Sequence, residues 1–184
     1  MKILSDKVTD VSKFVQLHST MYEDNKGNVK EWSWIGRPNK AKACMIIPII
    51  ISPWGNNKIC VIKEFRISIN DYEWGFPAGL IDDNESIENC VGRELKEETG
   101  LNLDLIYDVT PFAFNSPGIT DESIAMAFVK ASGEPSKDYL EPSEDIECFL
   151  LNQDEVKELL STEKKFGAKA LLIMKFFAKL NHII

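Results

Sequence analysis

The stretch from Gly79 to Leu101 constrains the fold of this 184-residue chain more than any other part of the sequence. It reads GLIDDNESIENCVGRELKEETGL, and its apolar residues at helical spacing predict one amphipathic helix from about Glu85 to Thr99. The turn Pro77-Ala78-Gly79 leads into the helix, and Gly100 ends it, because a left-handed backbone there needs no Cβ. The expected buried stripe consists of Ile87, Cys90, Val91 and Leu95.

The acidic residues on the last two turns of this helix are placed unfavourably. A helix C-terminus carries partial negative charge, so each carboxylate there costs roughly 0.3–1 kcal/mol. Arg93 can pair with Glu97, which leaves Glu94 and Glu98, four residues apart, to repel each other without a partner on the helix. A solvated acidic surface could tolerate this repulsion. A bound Mg²⁺ or Mn²⁺ ion would remove it, because these ions prefer carboxylate oxygens.

The spacing of the fixed residues favours the metal site. Gly79 is followed after five residues by Glu85, after seven more by Arg93-Glu94-Leu95, and then by Glu97-Glu98 and Gly100-Leu101, each after one residue. This pattern resembles, at every constrained position, the box that defines the Nudix hydrolases. The resemblance implies the Nudix fold and the metal-dependent hydrolysis of a nucleoside diphosphate linked to another group.

The rest of the chain predicts a sheet between helical layers. Strands are expected over residues 43–52, 58–66, 103–114, 123–130 and 146–151, with a short strand and turn over 73–79. Two more helices are expected, from Asn152 to about Leu160 and from Gly167 to Leu180. Pro48 predicts a bulge or an unpaired edge in the most apolar strand. The fold class is therefore α/β, an α/β/α sandwich with a mixed sheet, which agrees with the Nudix fold.

The first forty residues predict an N-terminal β-hairpin with strands over 14–22 and 29–35. Trp32 and Trp34 fall on one face of the second strand. They either pack within a half-buried sheet or offer an aromatic surface on which a base can stack. Since no interdomain linker is visible, we expect one domain over residues 1–184.

Charge and cysteine content exclude several classes of partner. A net charge of −8 disfavours binding to nucleic acid or to an anionic membrane surface. The four isolated cysteines predict buried free thiols in a reducing compartment. The longest apolar run, residues 43–52, is too short to cross a bilayer, and no secretory signal follows Met1. We therefore expect a cytoplasmic protein.

Beyond the box, the chain resembles the ADP-ribose pyrophosphatase branch of the Nudix family. The residues that carry this resemblance are Glu64-Phe65-Arg66, Pro77-Ala78-Gly79 and Ser116-Pro117-Gly118. It implies the hydrolysis of ADP-ribose to AMP and ribose 5-phosphate with two or three Mg²⁺ or Mn²⁺ ions. It also implies a homodimer to which the N-terminal hairpin, residues 1–40, contributes.

The same resemblance implies roles for individual residues. Metal ligands would be the Ala78 carbonyl, Glu94 and Glu98, with Glu97 sharing in the cluster. Arg93 would orient the glutamates and Glu85 would brace the loop, while Gly79 and Gly100 shape the backbone. The general base, or a further metal ligand, would be a loop glutamate: Glu144 is the first choice and Glu141 the second.

Substrate contacts are expected outside the box. By the resemblance, Trp32 would stack on adenine with help from Arg37, and Pro117 would mark the substrate loop. Arg66 is either solvent-exposed or a bidentate phosphate ligand. The segment Trp74-Gly75-Phe76, however, resembles Nudix enzymes that act on nucleoside triphosphates. A broader pyrophosphatase on NADH, other nucleotide sugars or triphosphates is therefore an alternative, and an ADP-ribose-binding sensor without activity is another.

Overall fold

The chain is described from a computed structural model that covers residues 1–180, apart from the side chain of Asn39. It forms two compact units. The first comprises residues 1–43 and 112–124, and the second comprises residues 44–111 and the rest of the described chain. Within residues 1–180 no helix is long and apolar enough to cross a membrane.

The first unit contains a three-stranded antiparallel sheet rather than a two-stranded hairpin. Its strands are β1 (Lys2–Ser12), β2 (Val15–Glu23) and β3 (Val29–Gly36), in that order. The sequence predicted β2 and β3 but missed β1. The reason is that every residue of β1 is exposed, so the strand carries no buried alternation from which it could be recognised.

The second unit contains a larger sheet. Its strands are β4 (Ala43–Ile50), β5 (Lys58–Arg66), β6 (Asp71–Gly75), β7 (Ala78–Leu80), β8 (Asn102–Val109), β10 (Ser123–Ser132) and β11 (Ile146–Leu151). The strand order is β11-β5-β4-β10-β8, with β6 paired to β5 and β7 paired to β4. The first residues of β4 and β10 belong to the first unit. β4 pairs with β5 through Ile49 and Ile50, directly after Pro48, in agreement with the predicted interruption.

The strand predicted over residues 103–114 is divided in two. β8 ends at Val109, and β9 (Ala113–Phe114) pairs separately with Ser123 and Ile124 in the first unit. Pro111 lies in the break, and a proline cannot donate a ladder hydrogen bond. The sequence prediction of one continuous strand was therefore wrong.

Three helices complete the fold: α1 (Ile87–Thr99), α2 (Gln153–Thr162) and α3 (Ala168–Leu180). α1 begins two residues later than predicted, because the Ser86 side chain caps it by accepting the Asn89 N–H at 3.2 Å. Gly100 ends α1 with a φ of 75°, as expected. α2 is capped by Asn152 and Glu155, as the sequence predicted.

Both faces of the larger sheet are buried. Cys90, Val91 and Leu95 of α1 pack in one cluster with residues of β4, β5 and β10. The alternate residues of β4 and β5 point to the other face and are buried too: Met45, Ile47, Ile59 and Val61. α2 contacts β11, and α3 contacts β6. α1 is thus fixed against the sheet, with Glu94 and Glu98 at the margin of an apolar cluster.

Candidate metal and catalytic site

Arg93 connects three carboxylates of the Gly79–Leu101 stretch. Its Nε and Nη2 atoms each donate to an oxygen of Glu85 at 2.9 Å. Its Nη1 donates to Glu94 Oε1 at 2.7 Å and to Glu97 Oε2 at 3.1 Å. The predicted pairing with Glu97 is present, but the prediction that Glu94 lacks a partner on the helix was wrong. The five N–H groups of a guanidinium can serve several acceptors at once, which simple i, i+4 spacing does not capture.

Glu85 is the carboxylate that Arg93 holds most firmly. The hydrogen bonds from Arg93 lower the pKa of Glu85 to about 2, and the same contact raises the pKa of Arg93. Glu85 Oε2 also accepts the N–H of Asp82 at 3.1 Å. Glu85 therefore braces the turn before α1, and it remains ionised at neutral pH.

Glu98 is a deeply buried carboxylate. It is 6% exposed, and its Oε2 accepts the Ala78 N–H at 3.1 Å. Within residues 1–180 it forms no salt bridge. Burial raises the pKa of Glu98 well above its ordinary value, and the charges of Glu94, Glu64 and Glu144 raise it further. Such a group favours the binding of a cation.

Glu94 occupies space that Gly79 leaves open. A Cβ atom added at Gly79 would overlap the Glu94 carboxylate. Glu94 is 8% exposed, and burial raises its pKa even though Arg93 is bound to it. The role expected for Gly79 in shaping the site thus has a direct steric reason.

Glu64 is a candidate site residue to which the sequence analysis assigned no role. Its side chain is 17% exposed, and burial raises its pKa. Glu64 lies four residues after Cys60 on β5, and residues an even number of positions apart on a strand point to the same face. Because Cys60 packs against α1, Glu64 points to the α1 face of the sheet. A glutamate at a core-facing position near the end of an apolar strand was the signal that could have revealed it.

The loop before β11 places Glu144 and Glu141 differently. Glu144 is half-buried, and its charge contributes to the raised pKa values of Glu64, Glu94 and Glu98. Glu141 is exposed, and its N–H donates to Glu144 Oε2 at 2.9 Å. Of the two predicted loop glutamates, Glu144 is the one that acts electrostatically on this carboxylate cluster.

These carboxylates are suited to a divalent ion by their chemistry. Glu64, Glu94, Glu98 and Glu144 provide hard oxygen donors whose mutual repulsion a cation would relieve. In residues 1–180, no three His, Cys, Asp or Glu side chains are close enough together to enclose a metal ion. Arg93 occupies one oxygen of Glu94, and the Ala78 N–H occupies one oxygen of Glu98.

A cavity of 190 Å³ adjoins Glu98. Its other walls include Ser136, Lys137, Glu147 and Cys148. The loop that contains Ser136 and Lys137 can approach α1 because Gly100 has no side chain. A Cβ at Gly100 would lie 2.6 Å from the Ser136 nitrogen, which donates to the Thr99 carbonyl at 3.0 Å. Lys137, 3.8 Å from Glu147, brings positive charge to the rim.

Comparison with known proteins identifies the family. Residues 47–172 match the family described as the NUDIX domain. The chain belongs to the Nudix family. It is 30% identical to the ADP-ribose pyrophosphatase of Saccharomyces cerevisiae, over 96% of this chain and 83% of that protein. It is 29% identical to an uncharacterized Nudix hydrolase of Schizosaccharomyces pombe, over 84% of this chain and 79% of that protein.

A solved structure confirms the fold. The crystal structure of an ADP compounds hydrolase matches this Nudix chain with a TM-score of 0.73 and 23% sequence identity, over 100% of this chain and 96% of that chain. The predicted α/β class with a mixed sheet is thereby confirmed.

The residues predicted to bind adenine, Trp32 and Arg37, and the predicted substrate loop at Pro117 lie in the first unit of this Nudix protein. Trp32 and Pro117 line one 290 Å³ cavity together with Trp34, Phe114, Thr120 and Asp121. Trp32 is 51% exposed, so its ring is open to a ligand. Arg37 donates from Nε to Glu122 Oε1 at 2.9 Å. The structure therefore brings Trp32 and Pro117 together and pairs Arg37 with a carboxylate.

Arg66 and Trp74 have local partners in the second unit. Arg66 is solvent-exposed, with 44% of its side chain accessible, and it donates to Glu64 at 2.5 Å and to Glu73 at 3.1 Å. Trp74 is buried, with its ring 5.0 Å from that of Phe149. Trp74, from the segment that resembles Nudix enzymes acting on nucleoside triphosphates, thus has a packing role.

Proposed function

We propose that this Nudix protein is a pyrophosphohydrolase that cleaves ADP-ribose to AMP and ribose 5-phosphate. The observation that carries the proposal is the buried pair Glu94 and Glu98 on α1, whose pKa values are raised by burial and of which Glu98 lines a cavity. The choice of ADP-ribose is supported by the relative from Saccharomyces cerevisiae, which is named for that activity.

The metal in this proposal is Mg²⁺ or Mn²⁺, in two or three ions. Glu94 and Glu98 would be the main ligands, with the Ala78 carbonyl and Glu97 contributing. When bound, such ions offset the charge of the diphosphate and acidify a water molecule. Arg93 joins α1 to the preceding turn through Glu85 and orients the Glu94 carboxylate.

The remaining chemistry belongs to the chain's own residues. Glu144 is proposed to accept the proton of the water that attacks one phosphorus, while the bond from that phosphorus to the bridging oxygen breaks. Its half-buried position and its electrostatic effect on Glu94 and Glu98 support this role, with Glu141 as the second choice. Lys137, at the rim of the cavity beside Glu98, is suited to attract the anionic diphosphate.

Adenine is proposed to stack on Trp32. The support is the cavity that this exposed indole forms with Pro117 in the first unit. Glu122 would hold the guanidinium of Arg37, five residues after Trp32. Arg66 is proposed to contact phosphate through the guanidinium N–H groups that Glu64 and Glu73 do not occupy.

Assembly and location are part of the same proposal. We expect a single domain over residues 1–184 that forms a homodimer through residues 1–40. Exposed apolar side chains on β1 and β3, such as Ile3, Val8 and Val29, support such an interface. The four free cysteines support a cytoplasmic location.

A substrate panel tests the proposal. The protein is incubated with Mg²⁺ and ADP-ribose, NADH, GDP-mannose or a nucleoside triphosphate, and products are separated by chromatography. AMP from ADP-ribose is expected, with at least tenfold less product from Glu98→Gln, since a lost metal ligand or its support costs about 10–100-fold. Glu88→Gln, an exposed position in the first turn of the same helix, is the matched control.

Two results would overturn the assignment. Faster turnover of a triphosphate than of ADP-ribose would favour the broader pyrophosphatase. Calorimetry that shows ADP-ribose binding, with no AMP after prolonged incubation with Mg²⁺, would favour the sensor.

A further inference from the structure

Asp145 attaches the loop that carries Glu144 to the sheet. Its carboxylate oxygen Oδ2 accepts the hydroxyl of Tyr72 on β6 at 2.5 Å. Its backbone carbonyl accepts the N–H of Phe65 on β5 at 3.1 Å. The residue directly after Glu144 is therefore fixed from two strands at once.

Tyr72 is well placed to hold this contact. It is the cross-strand partner of Phe65, and the two rings meet edge to face with centroids 5.3 Å apart. The Lys63 ammonium lies 5.8 Å from the centre of the Tyr72 ring. The hydrogen bond to Asp145 raises the pKa of Tyr72, so the phenol remains a donor at neutral pH.

The other contacts of Glu144 are local. Its N–H donates to the Glu141 carbonyl at 3.0 Å, and its Oε2 accepts the Glu141 N–H at 2.9 Å. These bonds close a turn within the loop, but they do not fix the turn relative to α1. The anchor at Asp145 provides that constraint, because Asp145 is the next residue after Glu144.

We propose that Tyr72 and Asp145 form a latch that holds Glu144 in position toward the carboxylate cluster of Glu64, Glu94 and Glu98. Tyr72 is then a positioning residue that acts through Glu144, and this assignment rests on the proposed function. Loss of the phenol hydroxyl leaves Asp145 held by its backbone bond to Phe65 and by the β11–β5 pairing that begins at Ile146. The turn that carries Glu144 is then held less firmly, so Glu144 occupies its productive position less often.

Kinetics of the full-length protein with Mg²⁺ and ADP-ribose test the latch. Tyr72→Phe is expected to lower kcat about tenfold, the lower end for a residue that orients a functional group, and to leave KM within about twofold. Asp145→Ala should do the same, whereas Asp145→Asn, whose amide oxygen still accepts the hydroxyl, should restore most of kcat. Tyr107→Phe, at an exposed tyrosine on β8, is the matched control and should behave as wild type.

A double mutant separates positioning from general damage. Glu144→Gln alone is expected to lower kcat by about 10²- to 10⁴-fold. Adding Tyr72→Phe to Glu144→Gln should change kcat less than about twofold, because the two residues act as a unit. An additional tenfold loss in the double mutant would refute the latch.

Hydrogen exchange provides a measure that does not depend on turnover. Tyr72→Phe should speed amide exchange in residues 141–145 and leave α1 protected, while Tyr107→Phe should leave both as in wild type. Equal exchange in wild type and Tyr72→Phe would overturn the latch whether or not ADP-ribose is the substrate. If wild type does not hydrolyse ADP-ribose, but Tyr72→Phe shows the expected faster exchange in residues 141–145, only the proposed function is overturned.

Discussion

Replacing Glu98 by glutamine is expected to stabilise the metal-free protein while it removes activity. The wild-type carboxylate is 6% exposed, forms one backbone hydrogen bond and lies among like charges that raise its pKa. A glutamine has nearly the same shape, and its amide oxygen can accept the same Ala78 N–H. The substitution therefore removes a buried negative charge and leaves the packing in place.

The size of the gain follows from the spacing on α1. Residues four apart on a helix have Cβ atoms about 5–6 Å apart, so the Glu94 and Glu98 charges repel by about 3 kcal/mol at an effective dielectric constant of 20. The new amide N–H₂ group, if it finds no acceptor, costs about 1–3 kcal/mol, which cancels part of the gain. The net gain is therefore at most about 2 kcal/mol, which corresponds to an increase in Tm of up to about 8 °C for a chain of this size.

The gain should depend on pH in a defined direction. Below its ordinary pKa of 4.5, Glu98 is neutral in the folded and the unfolded chain, and its charge has no effect on stability. As pH rises through the raised folded pKa, the unfolded state ionises first, so the stability of wild type falls. The advantage of Glu98→Gln should therefore be larger at about pH 8 than at about pH 5.

Thermal unfolding in the presence of a chelator measures this effect. Glu97→Gln is the matched control, because Glu97 lies on the same helix but its side chain is 41% exposed and paired with Arg93. No gain is expected there, since exposed ion pairs contribute about 0–1 kcal/mol. If metal-free Glu98→Gln unfolds at a lower temperature than wild type at both pH values, the buried charge is not a source of instability and the reasoning is refuted.

Three further predictions concern the same site and the base cavity. Gly79→Ala should reduce activity at least tenfold and lower Tm, because its Cβ would displace the Glu94 carboxylate. Gly92→Ala on the same stretch, where a Cβ would lie at an ordinary 3.7 Å from Leu103, should do neither. Since Arg93 lowers the pKa of Glu85 to about 2, the stability that this ion pair contributes should be lost as pH falls from 4.5 through about 2. The unfolding free energy of Glu85→Gln should therefore fall less than that of wild type over this pH range. Trp32→Ala should raise KM for ADP-ribose about tenfold or more and change kcat little, because stacking contributes about 1–3 kcal/mol per base. An unchanged KM would show that Trp32 does not bind adenine.

The sequence predicted α1 well because several independent signals agree there. The apolar stripe, Gly100 at the end and the fixed glutamates all required one helix with one face in the core, and burial of Cys90, Val91 and Leu95 confirmed it. The nearly continuous apolar run of residues 43–52 similarly predicted a strand, and the first seven residues of β4 are buried. Such features are specified by local periodicity and hydrophobicity, which can be read from neighbouring residues.

Features that depend on distant segments were harder to predict. β1 is fully exposed and depends on pairing with β2, so its own residues carry no pattern of burial. The pKa of Glu64 is raised by burial and also by the charge of Glu144, eighty positions further along the chain. The contact between Arg93 and Glu94 depends on the side-chain conformation around a turn, which spacing rules omit.

The stability and the proposed activity of this protein make opposite demands on α1. Apolar packing of Val91 and Leu95 fixes the helix, but the same packing brings Glu94 and Glu98 into a poorly solvated place where two negative charges are costly. Arg93 relieves Glu94 and leaves Glu98 without a salt bridge among the described residues. A carboxylate fully neutralised by an internal cation would hold a metal weakly, so the remaining repulsion provides binding energy for an ion. The instability expected of metal-free wild type and the affinity for a divalent metal thus have the same physical cause.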